Sequence, residues 1–263
     1  MSGGAEVGQL TFDQAVKYYQ REDGEQMLVL DGVSFQAKES QVTALIGPSG
    51  CGKSTLLNTV VGLEQLDGGS LSFGNGSVDG QERPYIGYVF QSARLLPWKT
   101  VGDNVRLGLL GASVPKDYWE RRVHKYLELV GLVDFVDQYP LYLSGGMQQR
   151  VGLARALAVE AGIVLMDEPF ASVDEITALR LRETTRHLCV TLERTVLFVT
   201  HNINEAAYIS DTVVLLSARP ARVRAVVENP LPLERKLGSP EVYQFANELG
   251  AMVHSDDGGL VVP

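Results

Sequence analysis

Four runs, at 42–46, 163–166, 196–200 and 212–216, are dominated by aliphatic residues and contain no charge. Short runs that stay apolar at consecutive positions read as strands buried on both faces, and helical periodicity falls between most of them. Strands alternating with helices predict an α/β chain built on a mostly parallel sheet. Toward the N-terminus the pattern changes. Gly68, Gly69, Gly74, Gly76 and Gly80 punctuate short runs such as 70–73, which predicts hairpins in an antiparallel β sub-sheet.

From 100 to 143 the pattern turns helical. Trp119, Val123, Tyr126, Leu127 and Val130 share one face of a helix opened by Pro115, and this aromatic stripe reads as core. The expected organisation is a domain over 10–230 with a helical lobe at about 100–159 inserted in it, and a C-terminal tail over 231–263. After Leu216 the pattern weakens, Pro230 and Pro232 interrupt it, and 256–259 reads as a frayed end. No internal repeat is present.

A chain of 263 residues with 45% hydrophobic and 21% charged residues can bury a large core. The net charge of -9 argues against a broad electrostatic grip on nucleic acid or anionic lipid. Cys51 and Cys189 form no Cys-x-x-Cys spacing and read as packing residues in a reducing cytosol. Residues 1–10 lack the basic and apolar regions of a signal peptide, and no run approaches the ~18 apolar residues of a membrane span. Any membrane role is expected to come through a partner.

Chemistry concentrates at five places. Gly47-Pro48-Ser49-Gly50-Cys51-Gly52-Lys53-Ser54-Thr55 follows a strand and opens a helix, the setting in which backbone N–H groups cradle phosphates. Lys53 is assigned to the β and γ phosphates, the Ser54 hydroxyl to Mg²⁺, and Thr55 to a further phosphate contact. The run 163–166 ends in Asp167-Glu168-Pro169. Because adjacent strand positions point opposite ways, Asp167 is assigned to the metal and Glu168 to the general base. Ser144 before Gly145-Gly146 reads as the N-cap of a helix over 147–159, whose positive end faces an anion. Gln91 closes the run 86–90 with an amide suited to Mg²⁺ or the attacking water. His201 ends the run 196–200, where a neutral ring can bridge base, water and γ-phosphate.

In this order and spacing, GPSGCGKST, Gln91, LSGGMQQR, IVLMDEP, Asp174 and His201 resemble the nucleotide-binding subunit of ABC transporters over nearly the whole chain. The resemblance implies a P-loop NTPase core and a head-to-tail dimer, of two identical or two similar subunits. In it the 47–55 loop of one copy and Ser144, Gly145, Gly146 and Gln148 of the other enclose ATP with Mg²⁺, with Asp174 also among the nucleotide contacts. An aromatic stacking on adenine is implied at Tyr19, with Tyr18 as the alternative. Residues 94–105, together with 216–220, resemble the nitrate/sulfonate/taurine group of importers. That likeness implies permease subunits in the membrane, contacted through Leu95, Leu96, Pro97 and Trp98, although core packing is the other reading for Trp98. It further implies a periplasmic or lipid-anchored substrate-binding protein, a peripheral place on the cytoplasmic face of the inner membrane, and no nucleic acid.

The resemblance is imperfect at two points: 171–174 reads Ala-Ser-Val-Asp in place of the usual Ser/Gly-Ala-Leu-Asp, and Asn202 replaces the common Asp. The motor residues do not encode direction, so an exporter subunit and a soluble ABC protein are the competing functions. An idle regulatory P-loop domain is disfavoured by Glu168 and His201.

Overall fold

The computed structural model describes residues 8–21, 24–74, 76–77 and 83–254. Gly80 and residues 256–259, where the sequence suggests a turn and a frayed end, lie outside them. The apolar runs form β3 (Val42–Ile46), β7 (Ile163–Asp167), β8 (Thr195–Thr200) and β9 (Thr212–Leu216). They assemble with β6 (Ile86–Val89) and β10 (Val223–Glu228) into a six-stranded sheet of order β10-β9-β3-β8-β7-β6, in which only the β9–β10 pair is antiparallel. Consecutive residues of each central strand feed opposite cores. Val42, Ala44 and Ile46 join the cluster under the helices, whereas Leu45 faces a second cluster shared with the smaller sheet. That two-sided burial is why these strands show no polar alternation.

The antiparallel sub-sheet exists, in the order β2-β1-β4-β5. Its strands are β1 (Leu10–Gln20), β2 (Gln26–Ala37), β4 (Gly68–Phe73) and β5 (Gly76–Ser77). The β1–β2 ladder shifts register at three places between Phe12 and Tyr18, which breaks the strict alternation a sequence reading needs. Between the sheets lies α1 (Lys53–Val61), which buries Leu56, Leu57 and Val60.

The helical stretch contains α2 (Val101–Gly111), α3 (Trp119–Leu129) and α4 (Gly145–Ala158). Val123, Tyr126, Leu127 and Val130 are buried as expected, while Trp119 is half-buried and its indole N–H donates to the Val114 carbonyl at 2.8 Å. Pro115 precedes a 3₁₀ turn over Lys116–Tyr118, so the α-helix starts later than the proline implies. The remaining helices are α5 (Glu175–Leu192), α6 (Ile203–Ile209) and α7 (Pro240–His254). Helix α7, in a stretch whose sequence pattern looked weak, buries Val242, Phe245, Ala246 and Leu249 in the main core. No helix among the described residues is long and apolar enough to cross a membrane.

One buried polar knot ties the chain beyond β10 to the sheet. Asp211 Oδ1 accepts from Arg186 at 2.9 Å and Arg235 at 3.1 Å, while its Oδ2 accepts from the Val42 amide at 2.9 Å. Burial, then the neighbouring Arg186, lowers the Arg235 guanidinium to about 10. Asp211→Ala leaves two buried cations facing each other and is expected to cost about 3 kcal/mol. Urea unfolding checks it, and a midpoint equal to the parent's refutes it.

Candidate active site

The register of the parallel strands brings distant residues to one edge. Ile46 pairs with Thr200, Val199 with Asp167, and Met166 with Val89. The phosphate loop, His201, Glu168 and Gln91 therefore leave the carboxyl ends of β3, β8, β7 and β6 within a residue or two of a common row. This is the edge at which open α/β sheets bind ligands.

At β3 the loop turns through Gly50 (φ 72) and Gly52 (φ 127) before entering α1. A β-carbon on Gly52 would lie 2.8 Å from Leu30 Cδ2, so both backbone conformation and space demand glycine there. Lys53 is buried, and its ammonium donates to the Gly47 carbonyl at 2.7 Å and the Pro48 carbonyl at 2.9 Å. The loop thus wraps its own cation, and the first turn of α1 carries no acidic residue to oppose an anion. The Cys51 thiol lies buried beneath the loop, so of this residue only the backbone can serve a phosphate. Ser54 is exposed and Thr55 half-buried at the start of α1.

Glu168 follows β7 with φ 43, a left-handed conformation that a β-carbon disfavours. It is held by its amide donating to the Val199 carbonyl and by its own carbonyl accepting from the Ala171 amide. The side chain reaches His201, whose Nδ1 lies 3.2 Å from Glu168 Oε2. Asp167, one residue earlier, takes a separate direction toward Tyr88, whose hydroxyl lies 3.5 Å away. Burial, and then the Glu168 charge, raises the Asp167 carboxyl above its usual range, against the opposing effects of Tyr88, Lys53 and Arg94. Sequence reasoning missed Tyr88. The available signal was its alternation with Phe90, on which its ring stacks at 4.3 Å.

The octet at 143–150 resolves into separate jobs. The Ser144 hydroxyl caps α4 by accepting from the Met147 amide at 3.3 Å. Gly146 is packed so closely that a β-carbon would fall 2.0 Å from Thr177 Cγ2 on α5. Gln148 turns its amide back onto the Pro140 and Leu143 carbonyls, at 3.0 and 3.2 Å. Gln149 donates to the Phe90 carbonyl at 2.8 Å, and Arg150 to the Val130 carbonyl at 3.1 Å. Arg155 adds bonds to the Ala93 and Arg94 carbonyls at 2.6 and 3.0 Å. The backbone around Gln91 is thereby fastened to α4, while Gln91 itself is exposed.

Both departures from the family pattern have structural roles. The Ser172 hydroxyl donates to the Gln91 carbonyl at 2.9 Å, a bond that alanine could not make. Asn202 Oδ1 accepts from the Asn204 and Glu205 amides, capping α6 as an aspartate would. Asp174 caps α5 through the Thr177 amide at 3.0 Å, and hydrogen bonding from Thr177 holds its exposed carboxyl below the usual range.

Tyr19 is half-buried against the second core cluster, with the Lys17 ammonium 5.5 Å from its ring centre, whereas Tyr18 is exposed. Burial pushes the Tyr19 phenol up, with the Thr55 hydroxyl acting against it. Trp98 is 69% exposed, which removes core packing as its role. The loop presenting it is clamped by the fully buried Asn104. Its amide accepts from the Leu96 N–H at 2.7 Å and donates to the Leu96, Lys99 and Thr100 carbonyls.

Among the described residues no cluster of three or more His, Cys, Asp or Glu is grouped to hold a metal. A hydroxyl, an amide and one carboxylate, completed by phosphate oxygens, is a donor set of the kind Mg²⁺ takes. Ser54, Gln91 and Asp167 fit it. The Asp167–Glu168 repulsion is of the kind a cation relieves.

Known proteins resemble this chain in sequence and in fold. A family model described as ABC transporter matches residues 30–171. The taurine import ATP-binding protein of Rhizobium johnstonii is 38% identical over 260 residues, covering 94% of this chain and 97% of that protein. An aliphatic sulfonates import ATP-binding protein of Bacillus cereus is 34% identical over 252 residues, covering 96% and 98%. Among solved structures, a dimeric post-hydrolysis ATP-binding cassette bound to ADP and Pi superposes with a TM-score of 0.73 at 28% identity, over 85% of this chain and 100% of that one.

Asp167 yields a test whose sign is fixed by its shift. A carboxyl raised on folding contributes stability below its unfolded value and loses it as pH rises through the folded one, so at pH 7 it opposes folding. Asp167→Asn is expected to raise the thermal midpoint of the nucleotide-free protein at pH 7, with the gain shrinking toward acid pH. A midpoint lowered at pH 7 contradicts the upward shift of the Asp167 carboxyl.

Proposed function

We propose that this chain, which belongs to the ABC transporter family, powers an importer of small organic anions of the sulfonate or taurine type. It is an ATPase, and the importer assignment draws on its similarity to import ATP-binding proteins for taurine and aliphatic sulfonates. The observation that carries the catalytic reading is the Glu168–His201 pair, 3.2 Å apart at the edge where the phosphate loop ends.

In this reading residues 10–230 are the ATP-binding domain, and its 100–159 helical lobe presents the Ser144-Gly145-Gly146 turn to a second copy. Gly47, Ser49, Gly50, Cys51 and Gly52 offer backbone N–H groups to the phosphates, Pro48, which has no N–H, shapes the turn between them, and Ser54 and Thr55 stand at the helix start. Lys53 exchanges two loop carbonyls for phosphate oxygens, so its burial costs nothing further on binding. Glu168 takes a proton from water as the water oxygen bonds to the γ-phosphorus. The bond to the bridging oxygen breaks, and ADP leaves with the electron pair. His201 orients the Glu168 carboxylate and the γ-phosphate. Mg²⁺ would be held by Ser54, Gln91 and Asp167 and would supply charge neutralisation to the phosphates. Gln148 acts by fixing the turn before α4 and Asp174 by capping α5, both close to the opposite copy's nucleotide. Tyr19 lines the adenine end.

The Trp98 loop meets permease subunits in the membrane, which are served by an external substrate-binding protein, and the chain sits peripherally on the cytoplasmic face. Asn104 makes that loop rigid enough to transmit closure of the dimer.

Two substitutions test the reading. Glu168→Gln is expected to keep MgATP binding, to lose at least about 100-fold in turnover, and to accumulate an ATP-bound dimer on size exclusion; parental turnover refutes the base assignment. Lys53→Ala is expected to weaken MgATP binding by about tenfold or more, because a charge-assisted grip is lost. Equilibrium titration with unchanged affinity removes Lys53 from the site.

A further inference from the structure

The stretch 216–220 served above only as a marker of the importer group, yet it forms a turn with a definite relation to the phosphate loop. Ser217 closes the β9–β10 turn, its amide donating to the Arg222 carbonyl at 3.0 Å and its hydroxyl accepting from the Arg222 amide at 2.9 Å. The turn is then stapled to β2. The Ala221 amide donates to the Val29 carbonyl, the Asp31 amide to the Ala221 carbonyl, and the Arg222 guanidinium grips Asp31 Oδ2 through Nε and Nη2.

From this fixed turn Arg219 crosses to the phosphate loop. Its Nη2 and Nε donate to the Gly50 carbonyl at 2.6 and 3.0 Å, and its Nη1 lies 3.0 Å from Met27 Sδ. Gly50 suits this contact twice over. Its φ of 72 makes the left-handed turn, and a β-carbon there would lie 3.1 Å from Arg219 Nη2. Two donors from one cation on one carbonyl oxygen are charge-assisted and strong.

The direction of that pull has a consequence inside the loop. In a planar trans peptide the C=O and the next N–H point opposite ways. Drawing the Gly50 oxygen outward to Arg219 turns the Cys51 N–H inward, where it meets the Pro48 carbonyl at 3.2 Å. That carbonyl is also bonded by the Lys53 ammonium at 2.9 Å. We propose that Arg219 is a positioning residue for the phosphate loop, holding the Gly50–Cys51 peptide from behind so that the Cys51 N–H stays closed on the Pro48 carbonyl and the loop keeps the shape in which it receives phosphates. The inference rests on the ATPase reading above.

Arg219 is exposed, and exposed ion contacts add little to global stability. A contact that served only to hold the fold together would lower the melting temperature when lost, whereas a positioning contact lowers nucleotide affinity. In the full-length chain, Arg219→Ala is expected to raise the Kd for MgADP and the KM for MgATP by about tenfold. Saturated kcat should stay within about twofold, because no group touching the reacting atoms is lost, and the nucleotide-free melting temperature should be unchanged. Arg219→Lys, which keeps the charge but has no planar fork, is expected to fall between the two. Unchanged MgADP affinity in Arg219→Ala, in a chain whose parent binds MgADP, overturns this inference alone. A parent that binds neither nucleotide overturns the ATPase reading and this one with it. Should the alanine variant fail to fold, Arg219→Lys decides: weakened MgADP binding supports the role, and parental affinity overturns it.

Discussion

The site depends on a shared register. Strands β6, β7, β8 and β3 run parallel and in step, so the residues that follow each of them emerge side by side. A one-residue slip in any strand would exchange its inward and outward faces. Because both faces are buried in separate clusters, such a slip would drive every side chain into the wrong core. The apolar residues at 42–46, 163–166 and 196–200 are remote from chemistry, yet their packing sets where Lys53, Glu168 and His201 stand relative to one another.

A second layer of order comes from side chains that bind backbone. Gln149 and Arg155 of α4 and Ser172 before α5 all donate to carbonyls between Phe90 and Arg94. The segment carrying Gln91 thus has no strand or helix of its own, and its shape is dictated by the elements around it. Movement of the body of α4 is coupled to the Gln91 segment through the Gln149 and Arg155 bonds. Asn104 does the same for the loop bearing Trp98, which places an exposed indole on a rigid mount.

Much of this was legible in the sequence because the physics there is local. A phosphate loop needs glycines at fixed spacing, a helix start needs a cap, and a buried strand needs an apolar run, and each leaves a contiguous trace. Long-range roles left none. Tyr88 at Asp167, Asn104 at the Trp98 loop and Gln149 at Phe90 are polar residues whose partners lie far away in sequence or in irregular backbone. Strands β1 and β2 were obscured by register shifts, and α7 by the prolines that precede it. Ser172 and Asn202 depart from the family pattern, and each holds a backbone partner. Sequence could flag the difference but not the bond that fills it.

The turn containing His201 is built from beneath. The Thr200 hydroxyl donates to Glu205, which is gripped in turn by Arg182 on α5, and α6 rests on α7, whose buried face includes Phe245 and Leu249. The imidazole therefore stands on a column of packed elements that reaches the rear of the molecule. A change of volume in α7 would reach the turn that bears the histidine only through α6 and the Glu205 contacts, by a route that touches neither Glu168 nor the phosphate loop.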